Sequence, residues 1–417
     1  MKREILVYSD WSDGINPILM GYLTSERLKG KEIFSFRYSR EWLEQGYSFY
    51  IDPDLQFYSG PQFLEGDKSN FGIFLDSSPD RWGRVLMRRR EAALARLENR
   101  KENTLFETDY LLGVYDNYRM GGIRFKENEL GNFMNDDSER AAPPWTSLKE
   151  LEFISLQLEK EDAVSEPNYM KWLTALIAPG SSLGGARPKA SVMDDKKQLW
   201  IAKFPSHSDD HDIGGWEMVA NQLALISGLN VAEGLMKQFS KKHHTFLSKR
   251  FDRTIDGNRI HFASAMTLLG LSDGYDHSDG ISYLHLAELI IQRGAQVNQD
   301  LEELWRRIVF NICISNTDDH LRNHGFLLTP KGWILSPAYD INPSKDQSGL
   351  KLNISLNDNS LELDLALEVS KNFRINSHRA EQIVTEVKKS TSEWRNLANK
   401  YKISKSEQDL MSAAFRN

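Results

Sequence analysis

The stretch NTDDHLRNHGFLL, residues 316–328, sets two carboxylates, Asp318 and Asp319, beside His320 and His324 and then turns apolar. Two chemistries are open to it. Asp318, Asp319, His320 and His324 together are a donor set suited to a transition metal in a hydrolase. Alternatively, Asp318 and Asn323 stand in D-x4-N. At that spacing a short loop turns one carboxylate toward a substrate hydroxyl, while the amide oxygen faces a Mg²⁺ ion on nucleotide phosphates. D-x4-N is common by chance, so phosphoryl transfer calls for further parts elsewhere in the chain.

Those parts occur in order. Downstream, in WILSPAYDINPS, Asp340 ends an apolar run seventeen positions after Asn323, where a second metal ligand is needed. Upstream, GSSLGGARPKA offers Gly180, Gly184 and Gly185 before a strand-like run. Glycine lets backbone N–H groups approach phosphate oxygens, although this loop has neither the Walker A nor the G-x-G-x-x-G form. In LWIAKF, strand alternation puts Lys203 on the face of Leu199 and Ile201, where an ammonium wants an anion. Nucleotide phosphate would serve, with Glu217 on the following helix as the ion-pair partner of Lys203.

The elements that must carry these residues read as an α+β chain. Residues 1–125 show short aromatic strands (EILVYSD, EIFSFRY) around one strong helix, in which Ser78 and Pro79 form an N-cap and first-position pair. The five arginines from Arg81 to Arg90 read as a solvated helix face. Residues 126–145 are acidic and end near a Pro pair, as a linker or loop. Residues 146–261 contain a hairpin, PKASVMDD with KQLWIAKFPS, and an amphipathic helix with Trp216, Val219, Leu223 and Ile226 on one stripe and Gly228 as its stop. From 262 to 417 the period is mostly helical.

Bulk properties exclude several classes. With 40% hydrophobic and 27% charged residues the chain is neither disordered nor fibrous. A net charge of -7 argues against a surface built for nucleic acid, so DNA contact is expected only through a partner. Cys313 is the single cysteine, which excludes an internal disulfide and fits a cytoplasmic protein. The opening MKREILVYSDW reads as a strand rather than a secretion signal, and no run is long and apolar enough for a membrane span.

Several of these stretches together resemble the HipA family of bacterial serine/threonine kinases, toxin components of toxin–antitoxin pairs. SPDRWGR and GVYDNYRMGGIRF look like that family's first domain, and SSLGGARPKA, LWIAKFPS, KRFDR, NTDDHLRNHG and AYDINP are similar to its kinase signatures. The resemblance implies a small mixed N-terminal domain, then a bilobal protein-kinase-like fold with a β-containing N-lobe and an all-helical C-lobe. It implies Asp318 as catalytic base, Asn323 and Asp340 as Mg²⁺ ligands, and Lys203 on the phosphates of ATP. Ser182, Leu183, Gly184 and Gly185 would lie in the nucleotide loop, and the Leu247–Phe251 stretch, with Lys249 and Phe251, along the adenine. Ser182, or neighbouring Ser181, would be autophosphorylated. A translation-related target of the aminoacyl-tRNA synthetase class and a small helix-turn-helix antitoxin of HipB type are the implied partners.

Departures accompany the likeness: Asn316 and Thr317 precede Asp318 where conventional kinases have H-R, and the DFG counterpart is YDI. Asp319 and His320 are expected to brace the loop, and His243 and His244 to be turn residues. Besides the metal hydrolase, a catalytically silent scaffold for an antitoxin remains as a different class. A tightly held transition metal would favour the hydrolase, and absence of ATP binding would favour the scaffold.

Overall fold

In KEIFSFRY alternate residues from Phe34 onward are aromatic, and the strand it forms buries Phe34, Phe36 and Tyr38 while Ile33 and Arg37 face away. This is one of twelve strands in a computed structural model describing residues 2–11, 16–45, 49–66, 68–136, 143–177, 185, 187–240, 242–346 and 348–416. The chain divides into two compact units, Met1–His207 with Asp252–Ala263, and Ser208–Phe251 with Ser264–Asn417.

The first unit contains β1 (Lys2–Ser9), β2 (Ile18–Leu28), β3 (Lys31–Tyr38), α1 (Arg40–Glu44), β4 (Gln62–Phe63), α2 (Gly72–Asp76), α3 (Arg81–Leu97), α4 (Glu107–Gly113) and β5 (Ile123–Lys126). Then follow α5 (Leu148–Leu158), α6 (Tyr169–Ile177), β6 (Lys189–Met193) and β7 (Leu199–Lys203). Its antiparallel sheet has the order β4-β3-β2-β1-β5, with a register shift between Val7 and Tyr8. The expected hairpin forms: β6 and β7 pair antiparallel with Lys189 opposite Lys203. Its turn is built by Asp194, whose carboxylate accepts Lys196 N at 2.9 Å and Gln198 N at 2.8 Å, while Lys197 takes the left-handed conformation.

Two details of α3 differ from expectation. The N-cap is Asp80, accepting Gly83 N at 2.8 Å, because the Ser78 hydroxyl is already donated to the Phe74 carbonyl at 2.8 Å. The arginines are also less solvated than their spacing implied. Arg84 makes a bidentate pair with Glu107 at 2.6 and 2.7 Å, and Arg89 donates to Leu158 O at 2.7 Å.

Charge pairs hold residues 252–263 in this unit. Asp252 accepts Gly121 N at 2.9 Å, Arg253 donates to Arg119 O at 2.9 Å, and Arg124 and Arg259 converge on Asp116 at 2.6 and 3.0 Å. Thus Asp252 and Arg253, which end KRFDR, lie beside VYDNYRMGGIRF although distant from it in sequence.

The second unit holds α7 (Ile213–Ile226), β8 (Gly234–Lys237) and β9 (Thr245–Lys249). After β10 (Phe262–Ser264) come α8 (Ala265–Leu268), α9 (Tyr283–Arg293), α10 (Val297–Ile314), β11 (Gly325–Thr329) and β12 (Gly332–Leu335). The remaining elements are α11 (Leu363–Val369), α12 (Ser377–Thr391), α13 (Trp394–Lys400) and α14 (Lys405–Met411). Helix α10 is central and buries Leu301, Leu304, Trp305, Ile308, Val309 and Phe310, each contributing roughly 1.5–3 kcal/mol of transfer free energy. The β11–β12 hairpin interrupts the otherwise helical stretch after it. Helix α7 buries Trp216, Val219 and Leu223 and stops at Gly228 in the left-handed conformation as expected, but Ile226, in its last turn, is exposed.

Cys313 lies within this core, where burial pushes its thiol up to about 11. A disulfide-exchange reagent at pH 8 is therefore expected to leave the native protein unlabelled and to titrate one thiol after denaturation. Rapid labelling of native protein would contradict this packing.

Candidate active site

Helix α10 ends because Ser315 adopts the left-handed conformation, φ 49° and ψ 48°. The chain then folds back on the helix, with Asn316 N donating to Asn311 O at 2.9 Å and Asn316 Nδ2 to Asn311 Oδ1 at 3.1 Å. The D-x4-N loop closes on one acceptor, the Asp318 carbonyl, which takes His320 N at 2.9 Å and Asn323 Nδ2 at 3.1 Å. With its nitrogen so engaged, Asn323 leaves Oδ1 buried with no hydrogen-bond partner among the described residues.

Asp319 does something different. It is buried, and its Oδ2 accepts Tyr283 Oη at 2.6 Å, Asn311 Nδ2 at 2.7 Å and His324 Nε2 at 2.9 Å. Burial alone would raise its pKa, but the adjacent His324 and the hydrogen bonds outweigh it and hold the carboxyl below its ordinary value. One carboxylate thus ties the loop to α9, α10 and the residue preceding β11.

The Asp340 segment is attached to the same loop. Tyr339 Oη donates to Arg322 O at 2.6 Å, and Asp340 itself adopts a positive φ of 57°, uncommon for a residue with a side chain. Asn342 Nδ2 donates to Asp340 Oδ1 at 3.3 Å. Asp318 senses Asp340 electrostatically. Burial raises the Asp318 pKa first, Asp340 and Asp319 raise it further, and His320 and Lys351 oppose them. Phe251 packs its ring 5.4 Å from that of Tyr339, which brings the Leu247–Phe251 stretch to the Asp340 segment.

Asp318, Asn323, Asp340, His320 and Phe251 are therefore brought together within the second unit. Lys249 is the last residue of β9, and its N donates to Glu233 O at 2.8 Å and its ammonium to Glu233 Oε2 at 3.2 Å. Glu217 is buried on α7. Lys203 and Gly185 belong to the first unit, and Ser181, Ser182, Leu183 and Gly184 lie outside the described residues.

The four-residue metal cluster is not formed. Among the described residues no three His, Cys, Asp or Glu side chains converge on a cation position, because Asp319 and His324 are spent on each other and on α9 and α10. His244 is a buried partner of Asp212, the N-cap of α7. Sequence reasoning missed Asn311 and Tyr283. The signal was there for Asn311, a polar residue inside the apolar run VFNICIS.

A family model described as the HipA-like C-terminal domain matches residues 181–394, just over half of the chain. The chain belongs to that family. Among relatives of the HipA-like chain, the serine/threonine-protein kinase toxin HipA of Shewanella oneidensis is 26% identical over 193 residues, 39% of this chain and 43% of its own length. A Haemophilus influenzae protein with kinase in its name is 29% identical over 182 residues, 39% of this chain and 52% of its own. The matched stretch thus spans about half the length of these relatives. The solved HipA from Shewanella oneidensis, in complex with HipB and operator DNA, superposes with a TM-score of 0.65 at 17% identity, covering 98% of this chain and 94% of that one. The fold is accordingly α+β, with a mixed N-terminal part followed by the kinase-like fold of HipA. Among the described residues no helix is long and apolar enough to cross a membrane.

Proposed function

We propose that the HipA-like chain is an ATP- and Mg²⁺-dependent protein serine/threonine kinase, acting in the cytoplasm as the toxin of a toxin–antitoxin pair. The observation that carries this reading is the closed D-x4-N loop. Its Asn323 keeps a buried oxygen that has no partner among the described residues, and its Asp318 lies within electrostatic reach of Asp340. A buried oxygen that meets no donor and a neighbouring carboxylate are a donor set suited to a hard cation. Asn323 and Asp340 would hold Mg²⁺, and the bound ion supplies positive charge to the phosphate oxygens of ATP.

Asp318 accepts the proton of a serine or threonine hydroxyl as that oxygen bonds to the γ-phosphorus and the bond to the β–γ bridging oxygen breaks, releasing ADP. Its raised pKa makes it a stronger base than an exposed aspartate. Lys203 contacts the nucleotide phosphates, with Glu217 as its ion-pair partner. Gly185, with Ser182, Leu183 and Gly184, would supply the phosphate loop, and Lys249 and Phe251 would border the adenine. Phosphorylation of Ser182 or Ser181 would set about two negative charges where ATP phosphates belong, and so switch the enzyme off. The target is a translation-related protein of the aminoacyl-tRNA synthetase class. A helix-turn-helix antitoxin of HipB type is the partner through which DNA is met.

Phosphoproteomics after inducing wild type and Asp318→Ala side by side tests activity and target together. A site phosphorylated only with wild type is the expected result, and lack of ATP binding by calorimetry would overturn the reading. In the same assay Asp340→Ala is expected to abolish γ-phosphate transfer while the thermal unfolding midpoint stays near that of wild type. Unchanged transfer would remove Asp340 from the metal site.

A further inference from the structure

The SPDRWGR motif has no role in the chemistry above, yet its aspartate meets the other end of the first unit. Asp80 Oδ1 caps α3 through Gly83 N at 2.8 Å, and its Oδ2 accepts Lys189 Nζ at 2.9 Å across 109 positions of sequence. Both side chains are buried, at 1% and 3% exposure. The same ammonium donates to Gly185 O at 3.3 Å. Gly185 has φ +95°, a conformation strained for any residue with a side chain, and a Cβ there would crowd Lys189 Nζ at 3.1 Å. Lys189 also opens β6 directly opposite Lys203 on β7. One cation therefore joins the cap of α3, the last glycine of GSSLGGARPKA and the strand pair that carries Lys203.

Stability does not account for this choice. A buried ion pair is about as stable as a well-packed apolar pair of the same volume, and costs several kcal/mol when only one partner is removed. An apolar pair, however, cannot hold the Gly185 carbonyl. We propose that Asp80, acting through Lys189, is a positioning residue for the nucleotide phosphates. It orients the ammonium that fixes the Gly185 peptide at the entry to β6. This inference rests on the kinase reading. Lys189 is too buried to reach a ligand itself, so the effect is on backbone geometry.

The test is calorimetric binding of ATP and of adenosine to the full chain, as wild type, Asp80→Asn, and the double variant Asp80→Asn with Lys189→Met. Asparagine keeps the helix cap. The double variant removes both charges of this pair and so does not strand the Lys189 ammonium, which keeps the test open should the single variant fail to fold. Loss of ATP affinity by about tenfold or more, with adenosine affinity held within about twofold, is the expected outcome. Undiminished ATP affinity in the folded double variant overturns the proposal, and so does a parallel loss for ATP and adenosine, which would mark general damage. Wild type that binds neither nucleotide sinks the kinase reading itself.

Discussion

Replacing Asp318 with alanine is expected to slow γ-phosphate transfer by about 10²–10⁴-fold, the usual contribution of a positioned general base, while the fold survives. The fold survives because the loop is held through the Asp318 carbonyl and through Asp319, not through the Asp318 carboxylate. A stability change should accompany the loss. Burial and the neighbouring Asp340 raise the Asp318 pKa, so the native state keeps this proton to higher pH than the unfolded chain does. In the window between the two pKa values, stability falls as pH rises, and above it the charged group is a net burden. Asp318→Asn should therefore be more stable than wild type near neutral pH and gain little in acid. Single-turnover transfer and thermal unfolding at two pH values read both effects, and retained autophosphorylation in Asp318→Ala would discard it as the base.

The adjacent carboxylate is expected to behave in the opposite way. Asp319→Ala strands three buried donors, on Tyr283, Asn311 and His324, and should cost on the order of 3–5 kcal/mol. Activity falls with it, as a consequence of the loop losing its anchor. The sign of the pH dependence also reverses. The folded pKa of Asp319 lies below its unfolded value of about 3.9, so its contribution is present above that value and lost as pH falls through the folded pKa. Urea unfolding of Asp319→Ala at neutral pH provides the measurement. A cost below about 1 kcal/mol would mean that the three hydrogen bonds are not holding the loop.

These two neighbours show where sequence reading runs out. Their spacing to Asn323 distinguishes Asp318, because a D-x4-N loop closes through its own backbone and leaves a local trace. Nothing local separates Asp319 as an anchor from Asp319 as a metal ligand. Two of its three partners, Tyr283 and Asn311, come from α9 and α10, and the packing of those helices draws it and His324 away from a cation site. The cap of α3 has the same cause. Ser78 and Asp80 are both good caps by type, and the carbonyl of Phe74, which takes the Ser78 hydroxyl, decides between them.

What the sequence by itself determined is the set of local devices: the strand alternation of KEIFSFRY, the β6–β7 hairpin, the Gly228 stop and the D-x4-N loop with an apolar run ending in Asp340. Each depends on interactions among residues a few positions apart, so residue type and spacing suffice. Only the tertiary structure decided which polar residues inside those devices brace and which are left open to chemistry. It buried Asp319 against Tyr283 and Asn311, left Asn323 Oδ1 without a partner among the described residues, and joined Asp80 to Lys189. A buried polar group takes its role from the partner that satisfies it, and for Asp319 and Asp80 the deciding partners come from distant segments.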